Sequence, residues 1–279
     1  MGLPVVCGCW SMGGAEALAK ALKKGMDASG HEGVGGDGER GGHVASVTLM
    51  GTTGAIAERL GREAHGGRVR VELIRPGVMR VGVEAGEPMS SADGALCLLV
   101  IGDGKVDAAM AAFFEGVARA RTKLTQMQLF LYSSQDAGHR WWKKAQEMGI
   151  LGQVCLVGAD AGSQRMLVRS DVVLMPQAGG VMRTLMLATM SAGRPVIAAA
   201  DTTMDDLIDG TTARLLDSPT AEQWARTLIE LPGQAEELRL LGGRAREYVR
   251  KEHGIAAFVN RVIEVYRTAT GEPMKFGEL

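Results

Sequence analysis

Two hydrophobic patterns alternate along this chain. Short runs that are apolar at nearly every position predict strands covered on both faces. Stretches in which apolar residues recur every three or four positions predict helices. The clearest example is Ser170 to Ala200, which reads as a strand from Val172 to Met175, a Pro-Gln-Ala-Gly-Gly turn, a helix from about Met182 to Ala192, a stop at Gly193 and a strand from Pro195 to Ala199. Strand, helix, strand is a βαβ unit.

The same alternation extends in both directions. Before this unit it predicts strands at Leu96 to Ile101, Met127 to Tyr132 and Val154 to Val157, helices at His139 to Met148 and Gly162 to Arg169, and a helix carrying Val106, Met110, Phe113, Phe114 and Val117 on one face. After it come a strand at Thr211 to Leu216 and three closing helices. The last of these places Ile255, Phe258, Val259, Val262, Ile263 and Tyr266 on one stripe, which is expected to dock on something apolar. Nearer the amino terminus the pattern gives strands at Leu3 to Cys7, Val44 to Met50 and Val69 to Ile74, and helices at Gly13 to Gly25 and Thr52 to Arg62. The expected fold is α/β, with mostly parallel, doubly wound sheets. Residues 30–42 are too glycine-rich and polar to pack and read as a surface loop. A second such stretch, 83–94, reads as a linker between a domain at 1–82 and a larger one at 95–279.

Composition narrows the class. At 279 residues, with 46% hydrophobic and 23% charged residues, the chain is globular and long enough for two domains. A net charge of -1 argues against an electrostatic grip on nucleic acid or an anionic membrane. No apolar run reaches the roughly 18 residues of a membrane span, and the first residues lack a basic secretory start, so a cytoplasmic location is expected. Cys7, Cys9, Cys97 and Cys155 read as buried free thiols, three of them in apolar strands. No His/Cys or carboxylate spacing suggests a metal site. His31 and His43 flank the surface loop as solvated histidines, and Trp141-Trp142 reads as an anchor at a helix edge.

Gly179 and Gly180 stand immediately before the predicted helix. They leave its unpaired N–H groups open to a ligand such as phosphate, although the same pair also serves simply to turn the chain.

Four segments together resemble the family-four retaining glycosyltransferases of the GT-B fold. Ala188 to Val196 (ATMSAGRPV) is similar to the family's Glu-Ala-Met-Ala-x-Gly-x-Pro-Val. Ser170 to Pro176 resembles its alanine-aspartate, apolar strand and proline. Val71 to Val78 (VELIRPGV) and Ile208 to Leu216 resemble two further family segments, the second running from valine-aspartate-glycine to glycine-leucine-leucine. The resemblance implies two Rossmann-like domains with a nucleotide-sugar cleft between them, the amino-terminal one incomplete here. A partner subunit that completes it is one expectation.

The resemblance also implies where the chemistry would sit. The family's two glutamates fall on Gly180 and Ala188, and neither can act as a carboxylate. Its diphosphate-binding arginine falls on Asp103, with Lys105 a few residues early for the family's lysine. Charge on the departing diphosphate would then be met by Gly102, Lys105, the amino end of the helix at Gly179 and Gly180, the Thr184 hydroxyl and Arg183. Arg183 suits a phosphate fork by type and equally suits a solvated helix surface. No catalytic residue is assigned, and no cofactor is implied beyond the nucleotide-diphosphate sugar as donor. The expected activity is transfer of that sugar to an unknown acceptor with retention. The alternative is an inactive homologue acting as a binding or interaction module.

Overall fold

Runs that are apolar at every position are stable as strands only when helices cover both sides, and the chain supplies those helices between them. The computed structural model describes residues 5–9, 47–63, 69–78, 95–132, 135–157, 166–167, 169–177 and 182–270. In chain order the elements are β1 (Val5–Cys9), β2 (Val47–Gly51), α1 (Gly54–Glu63), β3 (Val69–Leu73), β4 (Leu96–Ile101), α2 (Ala108–Ala120), β5 (Met127–Tyr132) and α3 (Gln135–Glu147). They continue with β6 (Val154–Val157), β7 (Val172–Met175), α4 (Arg183–Ser191), β8 (Val196–Ala199), β9 (Arg214–Leu216), α5 (Ala221–Glu230), α6 (Ala235–Glu252) and α7 (Ile255–Thr270). β4, β5, β6 and β7 begin and end on the residues that the apolar runs predict. The expected helix at 13–25, the glycine-rich stretches 30–42 and 83–94, His31, His43, Gly179 and Gly180 lie outside the described residues.

The chain forms two compact units, and their division differs from the expected domains. One comprises Met1–Gly77, Thr202–Asp205 and His253–Leu279; the other comprises Val78–Asp201 and Asp206–Glu252. The last helix therefore belongs with the first strands and not with the larger sheet.

In the first unit, β1, β2 and β3 pair in parallel in that order. Thr53 caps α1, its Oγ1 accepting from the Ile56 N–H at 3.0 Å. The Gly54 N–H at the same end donates to Asp205 Oδ2 at 3.0 Å. His253, 1% exposed, donates from Nδ1 to the Pro76 carbonyl at 2.9 Å and so fixes the start of α7. The apolar stripe expected on α7 is only partly covered. Ile255, Val259 and Tyr266 are exposed at 43%, 41% and 38%, while Val265, off that stripe, is buried.

The second unit has a six-stranded, wholly parallel sheet with strand order β6-β5-β4-β7-β8-β9. Counted from its first strand, this is the Rossmann order, with the reversal between β4 and β7. The core lies between the sheet and its helices. Met110, Phe113, Phe114 and Val117 of α2 are fully buried against Leu98, Val100 and Leu129. Val106, expected on that face, precedes the helix and is 37% exposed, because Asp107 caps α2 by accepting from the Met110 N–H. Phe113 meets Trp224 of α5 edge-on, with ring centroids 5.2 Å apart. Each such buried side chain contributes about 1.5–3 kcal/mol.

Three further expectations shift. Trp141 is fully buried while Trp142 is exposed, so the pair divides between core and surface. Cys97 is buried, whereas Cys155 is exposed because burial along β6 falls away after Val154. The closing strand is shorter than expected and starts at Arg214.

Candidate functional site

The reversal of strand order places the ends of β4 and β7 side by side, and in doubly wound sheets the crevice outside these carboxyl ends is where ligands sit. β4 runs into Gly102-Asp103-Gly104-Lys105-Val106-Asp107, and β7 into Pro176-Gln177. Gln177 ties the two together. Its Oε1 accepts from the Asp103 main-chain N–H at 3.1 Å, and its Nε2 donates to Asp103 Oδ1 at 3.0 Å and to Asp107 Oδ2 at 2.9 Å. Gly102 makes this possible, because a Cβ there would run into Gln177 Oε1 and come within 3.0 Å of the Trp141 ring. Trp141 braces the loop from beneath, its Nε1–H donating to the Lys105 carbonyl at 2.9 Å.

Lys105, the expected phosphate lysine, carries a side chain that is 71% exposed, with Nζ 3.0 Å from Asp103 Oδ2. The Lys105 main-chain N–H also donates to Asp103 Oδ1 at 2.8 Å. Burial pushes the Asp103 carboxyl up, but hydrogen bonds from the Lys105 amide, the Lys105 side chain and Gln177, with the lysine charge, outweigh it. They hold Asp103 below its ordinary 3.8.

At the start of α4 the expected residues part company. Thr184 is exposed on the first turn. Arg183 is buried, 6% exposed, with Nε and Nη2 on Asp206 Oδ2 at 2.6 and 2.5 Å. It is thus neither the solvated surface arginine nor, in this arrangement, a phosphate fork, because a buried carboxylate already engages its guanidinium. The cause is spacing. Arg183, Met186, Leu187 and Met190 share one helical face, and that face is the buried one. Asp206, fully buried, is further held by the Tyr248 hydroxyl, which donates to Oδ1 at 3.1 Å, and by Thr212 Oγ1, which donates to its carbonyl at 2.5 Å.

Two side chains that tie these elements together, Gln177 and Asp206, are not among the residues expected from the sequence. Gln177 gives no sequence signal. Asp206 does give an indirect one, since a buried-face arginine demands a carboxylate and the Asp205-Asp206 pair supplies one. Among the described residues no cluster of three or more His, Cys, Asp or Glu side chains could hold a metal ion, and no helix is long and apolar enough to cross a membrane.

Comparison with known proteins agrees with this architecture. Residues 95–233 match the family described as glycosyl transferases group 1. Among solved structures, sucrose-phosphate synthase from Thermosynechococcus elongatus is similar at TM-score 0.62 and 20% identity, over 79% of this chain and 58% of that one. A complex of S. aureus TarM with UDP, fondaparinux and alpha-GlcNAc-glycerol is similar at TM-score 0.65 and 14% identity, over 80% of this chain and 44% of that one. Anabaena HepE in complex with UDP and glucose is similar at TM-score 0.71 and 12% identity, over 95% and 72%. The chain thus spans about half the length of the first two. No curated protein sequence matches. Residues 95–233 therefore belong to the glycosyl transferases group 1 family, on a chain with the fold of the GT-B glycosyltransferases.

Proposed function

We propose that the protein binds a nucleoside diphosphate sugar at the carboxyl edge of its six-stranded sheet and transfers the sugar to an acceptor with retention of configuration. The observation that carries this reading is the reversal between β4 and β7, with the exposed Lys105 ammonium in the loop directly beyond it. The UDP held by HepE and by TarM supports the choice of ligand class. In such a transfer the bond between the anomeric carbon and the diphosphate oxygen breaks. The sugar takes on oxocarbenium character, and negative charge builds on the departing diphosphate. Lys105, the exposed Thr184 hydroxyl and the backbone N–H groups before α4 are the groups that this reading assigns to that charge.

A second reading, an inactive homologue that keeps the fold as a binding or interaction module, is favoured by a separate observation. Lys105 and Arg183 both already hold a carboxylate, and Gly180 and Ala188 stand where the family has glutamates.

Titration calorimetry with UDP, GDP and ADP, followed by donor-sugar turnover, tests the first reading. Binding of one nucleotide, weakened about tenfold by Lys105→Ala, is the expected result. Absence of binding by all three at millimolar concentration overturns it and leaves the second.

A further inference from the structure

Resting on that reading of the site, the arrangement beyond β4 carries a feature that the reading alone does not require. The Lys105 ammonium lies 3.0 Å from Asp103 Oδ2, a separation at which the same cation would also hold a phosphate oxygen. Asp103 is not a passing surface partner. Its other oxygen accepts from both Gln177 Nε2 and the Lys105 amide, its own N–H is bonded to Gln177 Oε1, and its side chain is only 19% exposed. Gln177 in turn reaches Asp107, so one side chain spans from the end of β7 to both carboxylates of the loop after β4.

We infer that Asp103 is an autoinhibitory stand-in for the ligand's phosphate: its carboxylate, clasped by Gln177, occupies Lys105, and a phosphorylated ligand gains Lys105 only by displacing it. The clasp is asymmetric. Lys105 has a long side chain that is 71% exposed, whereas Asp103 is fixed through its main chain as well as its carboxylate, so exchange consists of Lys105 swinging from Asp103 to the ligand. Asp103 then remains beside the bound phosphate as a like charge and lowers the affinity further.

The test is UDP titration at low ionic strength into the intact protein, Asp103→Asn, and Asp103→Asn combined with Lys105→Ala. Asparagine keeps the shape and an acceptor for the Lys105 and Gln177 N–H groups. Asp103→Ser serves as a second variant, and matched thermal unfolding checks that each is folded. Asp103→Asn is expected to bind UDP about five- to tenfold more tightly than the intact protein, with the gain shrinking in salt and vanishing in the double variant. Equal or weaker binding by Asp103→Asn, or a gain that survives Lys105→Ala, overturns the inference while leaving UDP binding by the intact protein to stand. UDP binding by Asp103→Asn alone upholds the stand-in and overturns donor binding by the native chain. Absence of binding by every form overturns both.

Discussion

Arg183 and Asp206 form a buried ion pair in which Nε and Nη2 of the arginine both reach Oδ2 of the aspartate, at 2.6 and 2.5 Å. Both side chains are almost wholly withdrawn from water, so neither charge is tolerable without the other. Asp206→Ala is expected to cost about 3–5 kcal/mol in urea unfolding, because it strands the guanidinium. An Arg183→Met, Asp206→Leu double variant is expected to recover most of that loss. A small effect from Asp206→Ala alone would mean that Arg183 has other means of compensation and that the pair does not hold α4.

Tyr248 provides a graded check on the same cluster. Its hydroxyl donates to the second oxygen of Asp206 at 3.1 Å, and Tyr248→Phe removes that bond while keeping the ring. A hydrogen bond to a charged group is worth about 1.5–3 kcal/mol, so the variant should sit between the native protein and Asp206→Ala in unfolding midpoint. Its loss should not add in full to that of Asp206→Ala, since both act on one carboxylate.

Adjacent glycines in α6 should respond in opposite directions. A Cβ on Gly242 would overlap the Gly193 carbonyl and come within 3.2 Å of the Pro195 nitrogen, because α4 and α6 touch through their backbones there. Gly193 closes α4 in the left-handed region at φ +74° and cannot easily move aside. Gly242→Ala is expected to destabilise by about 1–3 kcal/mol. Gly243 is exposed with nothing within 4 Å, and Gly243→Ala should stabilise by about 0.5–1 kcal/mol through the backbone alone. Thermal unfolding of the two variants, read as a pair, separates close packing from helix propensity.

Asp103 predicts a pH effect with a definite sign. Burial opposes its ionisation, but the hydrogen bonds from Lys105 and Gln177 win, and the folded carboxyl titrates below its ordinary 3.8. A group depressed on folding stabilises the native state above its unfolded value and loses that contribution as pH falls through the folded one. The clasp should therefore be intact at neutral pH and fail only in acid below about pH 4. Carboxyl-carbon NMR titration of Asp103 should give a midpoint under 3.8, moving upward in Gln177→Ala. An unmoved midpoint would remove Gln177 from the clasp.

Much of the larger sheet was legible because its central strands, β4, β7 and β8, are buried along nearly their whole length. That condition leaves continuous apolar runs with sharp ends, and β4 through β7 fall on the residues those runs mark. The allegiance of α7 was not legible. A stripe of six apolar residues says that a helix packs, yet not on which sheet, and here Phe258, Val262 and Ile263 of the stripe are only partly covered while Val265, off it, is buried. Of the residues expected to face a ligand, the sequence marked their place in the fold but not how they bond to one another. Lys105 and Thr184 lie exposed, whereas Arg183, which shares a helical face with Met186, Leu187 and Met190, follows that spacing to the inside. Gln177 joins residues about seventy positions away, a relation set by parallel pairing of β4 with β7 that no local pattern encodes.

The allegiance of α7 has a consequence for biosynthesis. β1 to β3 are made before the six-stranded unit, but the helix that belongs with them is made only after it. The larger unit can close during translation, domain by domain, whereas the earlier sheet must wait for a segment that follows that whole unit. Release of a chain stopped short of Ile255 would strand the first strands without their covering helix, a natural substrate for chaperones and proteases.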